Sequence, residues 1–279
     1  MQTKHKIECG ILTNVRRIGT CFSLAAALAL FTQTGHAGEL ISVPTRGDVT
    51  QSVYVDASSA TVPWVVVLFA GDDGDVALSD SGPTKKRGNF LVRTAPYWLS
   101  HGYATAIFDA PSDYADGMDD NFRLSEDAHK DVAAVIAELH RRYPKAKVAL
   151  IGTSRGTITV GNALRRNPRL ADAFVLTSPA TVAVRGKPGL SGIHWTASSA
   201  RVLVVSNEHD VCVASPFWAA KSLATDNGFD FIAESSTQGG GDKHAECGGQ
   251  APHGFLGVES TALDAINDWL VRASVAAAN

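Results

Sequence analysis

The chain has 279 residues, 45% of them hydrophobic and 19% charged, with a formal net charge of −3. This balance excludes a disordered or collagen-like chain, and it leaves no basic footprint for nucleic acid or anionic lipid. The length allows a single α/β domain with a full-sized core.

Residues 1–37 read as a segment apart from that domain. Lys4, Lys6, Arg16 and Arg17 make a basic start, Cys21 to Phe31 is an unbroken apolar run, and Gly35-His36-Ala37 supplies small residues before a cut. That order is the order of a secretory signal peptide. The run is too short to span a bilayer, which takes about 20 residues, so no stable membrane anchor is expected. Arg16-Arg17 is a faint twin-arginine pair, and Cys21 stands at the start of the apolar run and not after it, the wrong place for lipid attachment. The competing reading is an amphipathic or buried helix of the mature fold. Export predicts a periplasmic or secreted protein that starts near Gly38. Its formal charge is then −6, and of four cysteines it keeps Cys212 and Cys247.

From residue 38 onward the pattern predicts one domain, 38–279. Leu40 to Arg46 and Val49 to Asp56 read as two strands around a Gly47-Asp48 turn, and Val62 to Phe69 as a strand covered on both faces. A long Gly- and Asp-rich loop, Ala70 to Asn89, comes next. Strands are then predicted at Tyr103–Asp109, Lys147–Ile151, Asp172–Thr177, Arg201–Ser206 and Phe229–Glu234. Helices are predicted at Phe90–His101, Ser125–Tyr143, Thr157–Arg166, Ser215–Gly228 and Glu259–Ala273. Such alternation implies an α/β fold: a mostly parallel central sheet, helices on both faces, and an antiparallel N-terminal edge.

Chemistry concentrates at three places. Lys147 to Gly156 reads KVALIGTSRG, a buried strand running into G-x-S-x-G with a helix directly after. In that context Ser154 sits on a tight strand-to-helix turn that projects its oxygen above the sheet, with glycine required two residues either side. A serine needs a base, and the base an orienting carboxylate; with this turn they follow in the order acid, then histidine. Arg201 to Asp210, RVLVVSNEHD, is a strand ending in a polar turn and offers Asp210, with Glu208 as the alternative. Ala251 to Phe255, APHGF, lies between the last strand and the last helix and offers His253. His244 and His209 are the alternatives: His244 sits in a Gly-rich loop, and His209 is adjacent to the acid it would need.

The GTSRG, SNEHD and PHGF motifs together resemble the α/β-hydrolase superfamily, in its small-capped esterase and dienelactone-hydrolase-like region, from about Val49 to Val271. The resemblance implies the α/β-hydrolase fold and a Ser154-His253-Asp210 triad acting through an acyl-enzyme. Members often carry His-Gly after the third strand, where this chain has Phe69-Ala70-Gly71-Asp72. Two backbone N–H groups would hold the oxyanion, that of Arg155 and, from the loop after Phe69, that of Asp72. The Arg155 side chain has two readings: a structural pair with Asp109 or Asp113, or a clamp on a substrate carboxylate.

The acidic stretch Gly71 to Asp80 misses the EF-hand spacing, so no metal and no cofactor are expected. Cys212 lies two residues after Asp210 and Cys247 six before His253, so a disulfide between them would tie the acid loop to the histidine loop; two buried thiols are the alternative. Ser178 to Ser199 is too short for a large helical lid. The expected activity is hydrolysis of a small-molecule carboxylic ester by a monomer. Peptide or amide cleavage on the same scaffold and a non-catalytic binding protein with a relic triad are the alternatives.

Overall fold

The structure is a computed structural model and describes residues 38–195, 200–241 and 245–276. The expected signal peptide, residues 1–37, and the alternative base His244 lie outside the described residues.

Eight strands form one sheet: β1 (Glu39–Arg46), β2 (Val49–Ala57), β3 (Trp64–Phe69), β4 (Ala104–Phe108), β5 (Lys147–Thr153), β6 (Ala173–Thr177), β7 (Val202–Asn207) and β8 (Asp230–Glu234). Their order across the sheet is β1-β2-β4-β3-β5-β6-β7-β8. β1 and β2 pair antiparallel with Ile41 opposite Val53, and β2 meets β4 antiparallel with Val55 opposite Ala106. From β4 to β8 every pairing is parallel. Both the parallel body and the antiparallel edge follow the sequence reading.

The helices are α1 (Phe90–Arg93), α2 (Ala95–Ser100), α3 (Asp120–Arg123), α4 (Glu126–Arg142), α5 (Gly156–Arg166), α6 (Phe217–Asn227) and α7 (Glu259–Ala276). They cover both faces, and alternation along β3 shows how. Val65, Val67 and Phe69 join a core with Val132, Val135 and Leu139 of α4 and Ile158 of α5. Trp64, Val66 and Leu68 join a second core with Phe90, Leu91 and Trp98 of α1–α2 and Leu263, Ile266 and Leu270 of α7. A strand with period-two side chains and apolar residues at every position must be covered twice. β3 is buried at all six residues.

α4 begins where predicted, with the Ser125 hydroxyl accepting from the Ala128 N–H. The helix predicted over Phe90–His101 is two helices instead. Pro96 has no N–H to give to the carbonyl one turn earlier, and the chain breaks at Thr94 (φ −99°, ψ 3°). Pro216 likewise delays α6 to Phe217. The loop 70–89 carries a two-residue ribbon, Leu78–Ser79 against Gly82–Pro83. The Asp109 carboxylate at the end of β4 anchors that loop by accepting from the N–H groups of Val76 and Leu78, both at 2.9 Å.

Candidate active site

β5 ends at Thr153 and α5 starts at Gly156, so Ser154 and Arg155 alone make the turn between them. Ser154 has φ +52°, a left-handed conformation that a residue with a Cβ adopts only under constraint. The constraints are visible: its N–H donates to the Thr177 carbonyl at 3.0 Å, and its own carbonyl accepts from the N–H of Thr157 at 3.0 Å. A Cβ on Gly152 would lie 2.6 Å from the Gly156 carbonyl oxygen, and one on Gly156 would run into the Phe69 carbonyl. Both glycines of the motif are therefore steric necessities of this turn.

Two strands away, β7 ends at Asn207 and the chain turns through Asp210, whose N–H donates to the Asn207 carbonyl at 3.0 Å. The Asp210 carboxylate is buried; Oδ1 accepts the Cys212 N–H at 2.9 Å and Oδ2 the Nδ1 of His253 at 2.8 Å. Glu208 and His209 are exposed. His253 sits in a single 3₁₀ turn, Pro252–Gly254, and is buried. Its Nε2 is buried and has no hydrogen-bond partner among the described residues.

Ser154, Arg155, Asp72 and His253 line one cavity of about 550 Å3. The Cys212–Cys247 disulfide, with Cα atoms 4.7 Å apart, forms part of its wall. Ser154 and His253 thus face a common space without a hydrogen bond between them. On the opposite rim, a Cβ on Gly71 would come within 2.9 Å of the Ser154 Cβ, so the loop after β3 passes directly beside the serine. Asp72 has φ +55°, and neither its N–H nor that of Arg155 has an acceptor among the described residues.

Lysines hold the carboxylates of this rim. Lys86 Nζ lies 2.7 Å from Asp72 Oδ2 and 2.9 Å from Asp73 Oδ1. Burial works against the Asp72 carboxylate, but the Lys86 hydrogen bond and the charges of Lys86, Lys187 and Arg123 hold it below its ordinary range. Lys85 takes Asp75 at 2.5 Å. Among the described residues no group of three or more His, Cys, Asp and Glu side chains is placed to hold a metal.

The Arg155 side chain takes neither partner expected from sequence. Asp109 is occupied by backbone N–H groups of the loop after β3, and Asp113 pairs with Arg46 at 3.1 Å. Arg155 instead pairs with Asp120 at the start of α3. The other oxygen of Asp120 accepts the Gly189 N–H at 2.9 Å, which ties α3 to the connection after β6. The described part of that connection, 178–195, contains no helix.

Three organising residues escaped the sequence reading. Asn207 Nδ2 donates to the Pro252 carbonyl at 3.2 Å while its Oδ1 accepts the N–H groups of His209 and Ser236. The Ser178 hydroxyl donates to the His253 carbonyl at 2.8 Å, and the Arg123 guanidinium donates to the Asp72 carbonyl at 3.2 Å. Asn207 lies within the SNEHD motif, where a short amide after a strand is a recognisable organiser of turns; the other two carry no sequence signal.

A family model described as serine aminopeptidase, S33, matches residues 88–212, from the cavity wall at Gly88 through Ser154 to the first disulfide cysteine. The chain has the α/β-hydrolase fold. A thermophilic esterase from Thermogutta terrifontis shares the α/β-hydrolase fold with a TM-score of 0.56 and 14% identity, over 86% of this chain and 93% of that one. Est1E from Butyrivibrio proteoclasticus aligns with a TM-score of 0.55 and 14% identity, over 84% and 98%. An α/β serine hydrolase without a lid, from Xanthomonas campestris, aligns with a TM-score of 0.52 and 15% identity, over 81% and 94%. No curated protein matches the chain by sequence.

Proposed function

We propose that this α/β hydrolase is an exported serine hydrolase that cleaves small-molecule carboxylic esters, acting as a monomer. The observation that carries the reading is the buried pair of His253 and Asp210, 2.8 Å apart, whose free Nε2 shares a cavity with Ser154. His253 Nε2 takes the hydroxyl proton as Ser154 Oγ attacks the ester carbonyl, and Asp210 holds the ring in the tautomer that leaves Nε2 as the acceptor. The N–H groups of Arg155 and Asp72 receive the oxyanion. The proton then passes from His253 to the leaving alcohol, and water, activated in the same way, hydrolyses the acyl-enzyme.

Export is supported by the disulfide, which belongs to an oxidising compartment. Among the described residues no helix is long and apolar enough to cross a membrane. The ester reading is favoured by a site with no helix in the described part of the connection after β6, which suits a small, soluble substrate. Amide cleavage is the second reading, on the strength of the serine aminopeptidase description over residues 88–212.

A fluorophosphonate probe tests the serine directly. It should label the purified protein once, and Ser154→Ala should abolish labelling without loss of fold. Unchanged labelling in that variant removes the assignment. A panel of p-nitrophenyl esters beside aminoacyl anilides separates the two substrate classes, and faster turnover of the anilides would favour the second reading.

A further inference from the structure

Arg123 is a fully buried guanidinium that no carboxylate among the described residues pairs. Asp120, three residues earlier, is committed to Arg155 and to the Gly189 N–H. The guanidinium donates from Nη1 to the Thr159 hydroxyl of α5 at 2.9 Å and from Nη2 to the carbonyl of Asp72 at 3.2 Å, and its Nε has no partner. Burial pushes its pKa down to about 10, with Asp120 opposing that shift and Arg155 adding to it, while Asp73 and Asp72 oppose it more weakly. The group therefore stays charged at neutral pH. A buried cation without a counter-ion is costly, and an apolar side chain of the same volume would pack there at less cost.

Asp72 is the residue that needs such an anchor. Its φ of +55° is unfavourable for a residue with a Cβ, and its own carboxylate points to Lys86 on an exposed rim. Arg123 grips the Asp72 carbonyl from the interior. Gly74, at φ +77°, leaves room for that contact, since a Cβ there would meet Nη2 of Arg123 and the Met118 side chain.

We infer that Arg123 is a positioning residue for the ester hydrolysis proposed above: by holding the Asp72 carbonyl, it sets the Asp72 N–H where the oxyanion forms and keeps a fixed positive charge behind that donor. This rests on the serine-hydrolase reading and adds to the two proposed N–H donors a supporting residue contributed by α3. Preorganised groups of this kind act on the transition state more than on bound substrate.

The test compares wild type with Arg123→Met and Arg123→Lys, counting active sites by fluorophosphonate labelling taken to completion. Arg123→Met should lose about 10- to 100-fold in kcat/KM per labelled site, less than or comparable to loss of a direct oxyanion donor. Its affinity for an alkylboronic acid, whose tetrahedral adduct on the serine imitates the oxyanion, should fall in parallel. Arg123→Lys should recover much of the rate at mildly acidic to neutral pH. It should lose that rate at alkaline pH, as a buried ammonium gives up its proton, a limb that Arg123→Met lacks. Should Arg123→Met fail to fold, Thr159→Val, which removes the other anchor of the guanidinium with little change of shape, should lower kcat/KM several-fold. Wild-type kcat/KM per labelled site in the folded Arg123→Met or Thr159→Val variant overturns the inference alone. A wild type that is neither labelled nor active overturns the serine-hydrolase reading and this inference with it.

Discussion

Asp210 gives its two carboxylate oxygens to different tasks: Oδ2 meets His253 Nδ1 at 2.8 Å, and Oδ1 holds the Cys212 N–H at 2.9 Å. One side chain thus orients the proposed base and closes the turn that carries the disulfide. Asp210→Asn keeps the shape of the turn but offers an amide N–H or carbonyl to the imidazole, and so favours the wrong tautomer. It should lower kcat by about 10³-fold or more, as loss of a triad member does. His253→Ala should do the same. Glu208→Gln, on an exposed side chain, should stay within a few-fold of wild type, and a larger loss there than in Asp210→Asn would move the acid to Glu208.

Ser178 supports the turn of His253, the proposed base, from behind. It is buried at φ +42°, with its N–H on the Val205 carbonyl and its hydroxyl on the carbonyl of His253, both at 2.8 Å. Ser178→Ala leaves a buried carbonyl short of its donor, which costs about 1 to 3 kcal/mol, and frees the histidine turn to shift. Ser178→Gly relieves the backbone strain while removing the same hydroxyl. Both variants should lose kcat several-fold, with Ser178→Gly the more stable of the two. Full activity in both would show that the histidine turn holds its position without Ser178.

The pH dependence of stability has a local source at the start of the sheet. Hydrogen bonds from Arg141 and Arg142 hold the Glu138 carboxyl down to about 2, against the effect of its partial burial. Arg142 also reaches Glu39 of β1 at 2.6 Å and so links α4 to the sheet edge. A depressed folded-state pKa contributes stability that is fully present above the unfolded value, near 4.5, and is lost as pH falls through the folded value. The loss therefore falls between about pH 5 and pH 2. With both partners partly solvated, it should amount to about 1 kcal/mol or less. Urea midpoints for Glu138→Gln should change less across that window than those of wild type; identical pH profiles would mean the bridge is silent.

How much of this could be read from residues alone varies with the range of the interaction. The parallel body of the sheet was legible because VPWVVVLF, and the centres of Lys147–Ile151, Asp172–Thr177 and Arg201–Ser206, are continuous apolar runs, a local pattern that a doubly covered strand explains. The turn at Ser154 was legible because G-x-S-x-G between a buried strand and a helix is a local pattern, although the contact that demands Gly156 comes from Phe69, far along the chain. Asp210 and His253 could be named only by their order along the chain, since at a sequence separation of 43 there is no local signal of their contact. The Arg155 partner was misjudged because Asp120 belongs to α3, a four-residue helix too short to show periodicity. Ser178 and Arg123 act through backbone carbonyls, which every residue has, so their sequence neighbours give no hint of a role.

The disulfide joins the chemistry to the oxidation state of the protein. Cys212 and Cys247 enclose 35 residues of separation, and the bond lies between the turn of Asp210 and the turn of His253, against the cavity itself. Closing a loop of that size restricts the unfolded chain by roughly 4 kcal/mol in the loop-entropy picture. Most of the sheet lies outside the enclosed segment, so reduction need not unfold the protein at room temperature. What reduction frees is the segment after Asp210 that carries Val213, 65% exposed at the cavity rim, and the glycine wall at Gly248 and Gly249. Small displacements of catalytic groups are costly, so activity should fall at reductant concentrations that leave the far-ultraviolet circular dichroism unchanged. Cys212→Ser/Cys247→Ser should reproduce that loss without reductant and should melt at lower temperature, by an amount matching about 2 to 5 kcal/mol. Activity and circular dichroism measured in parallel across a reductant series check this. A double variant with wild-type turnover and unchanged melting would reduce the bridge to a passive crosslink, and two thiols titrating in the native, unreduced protein would remove it altogether.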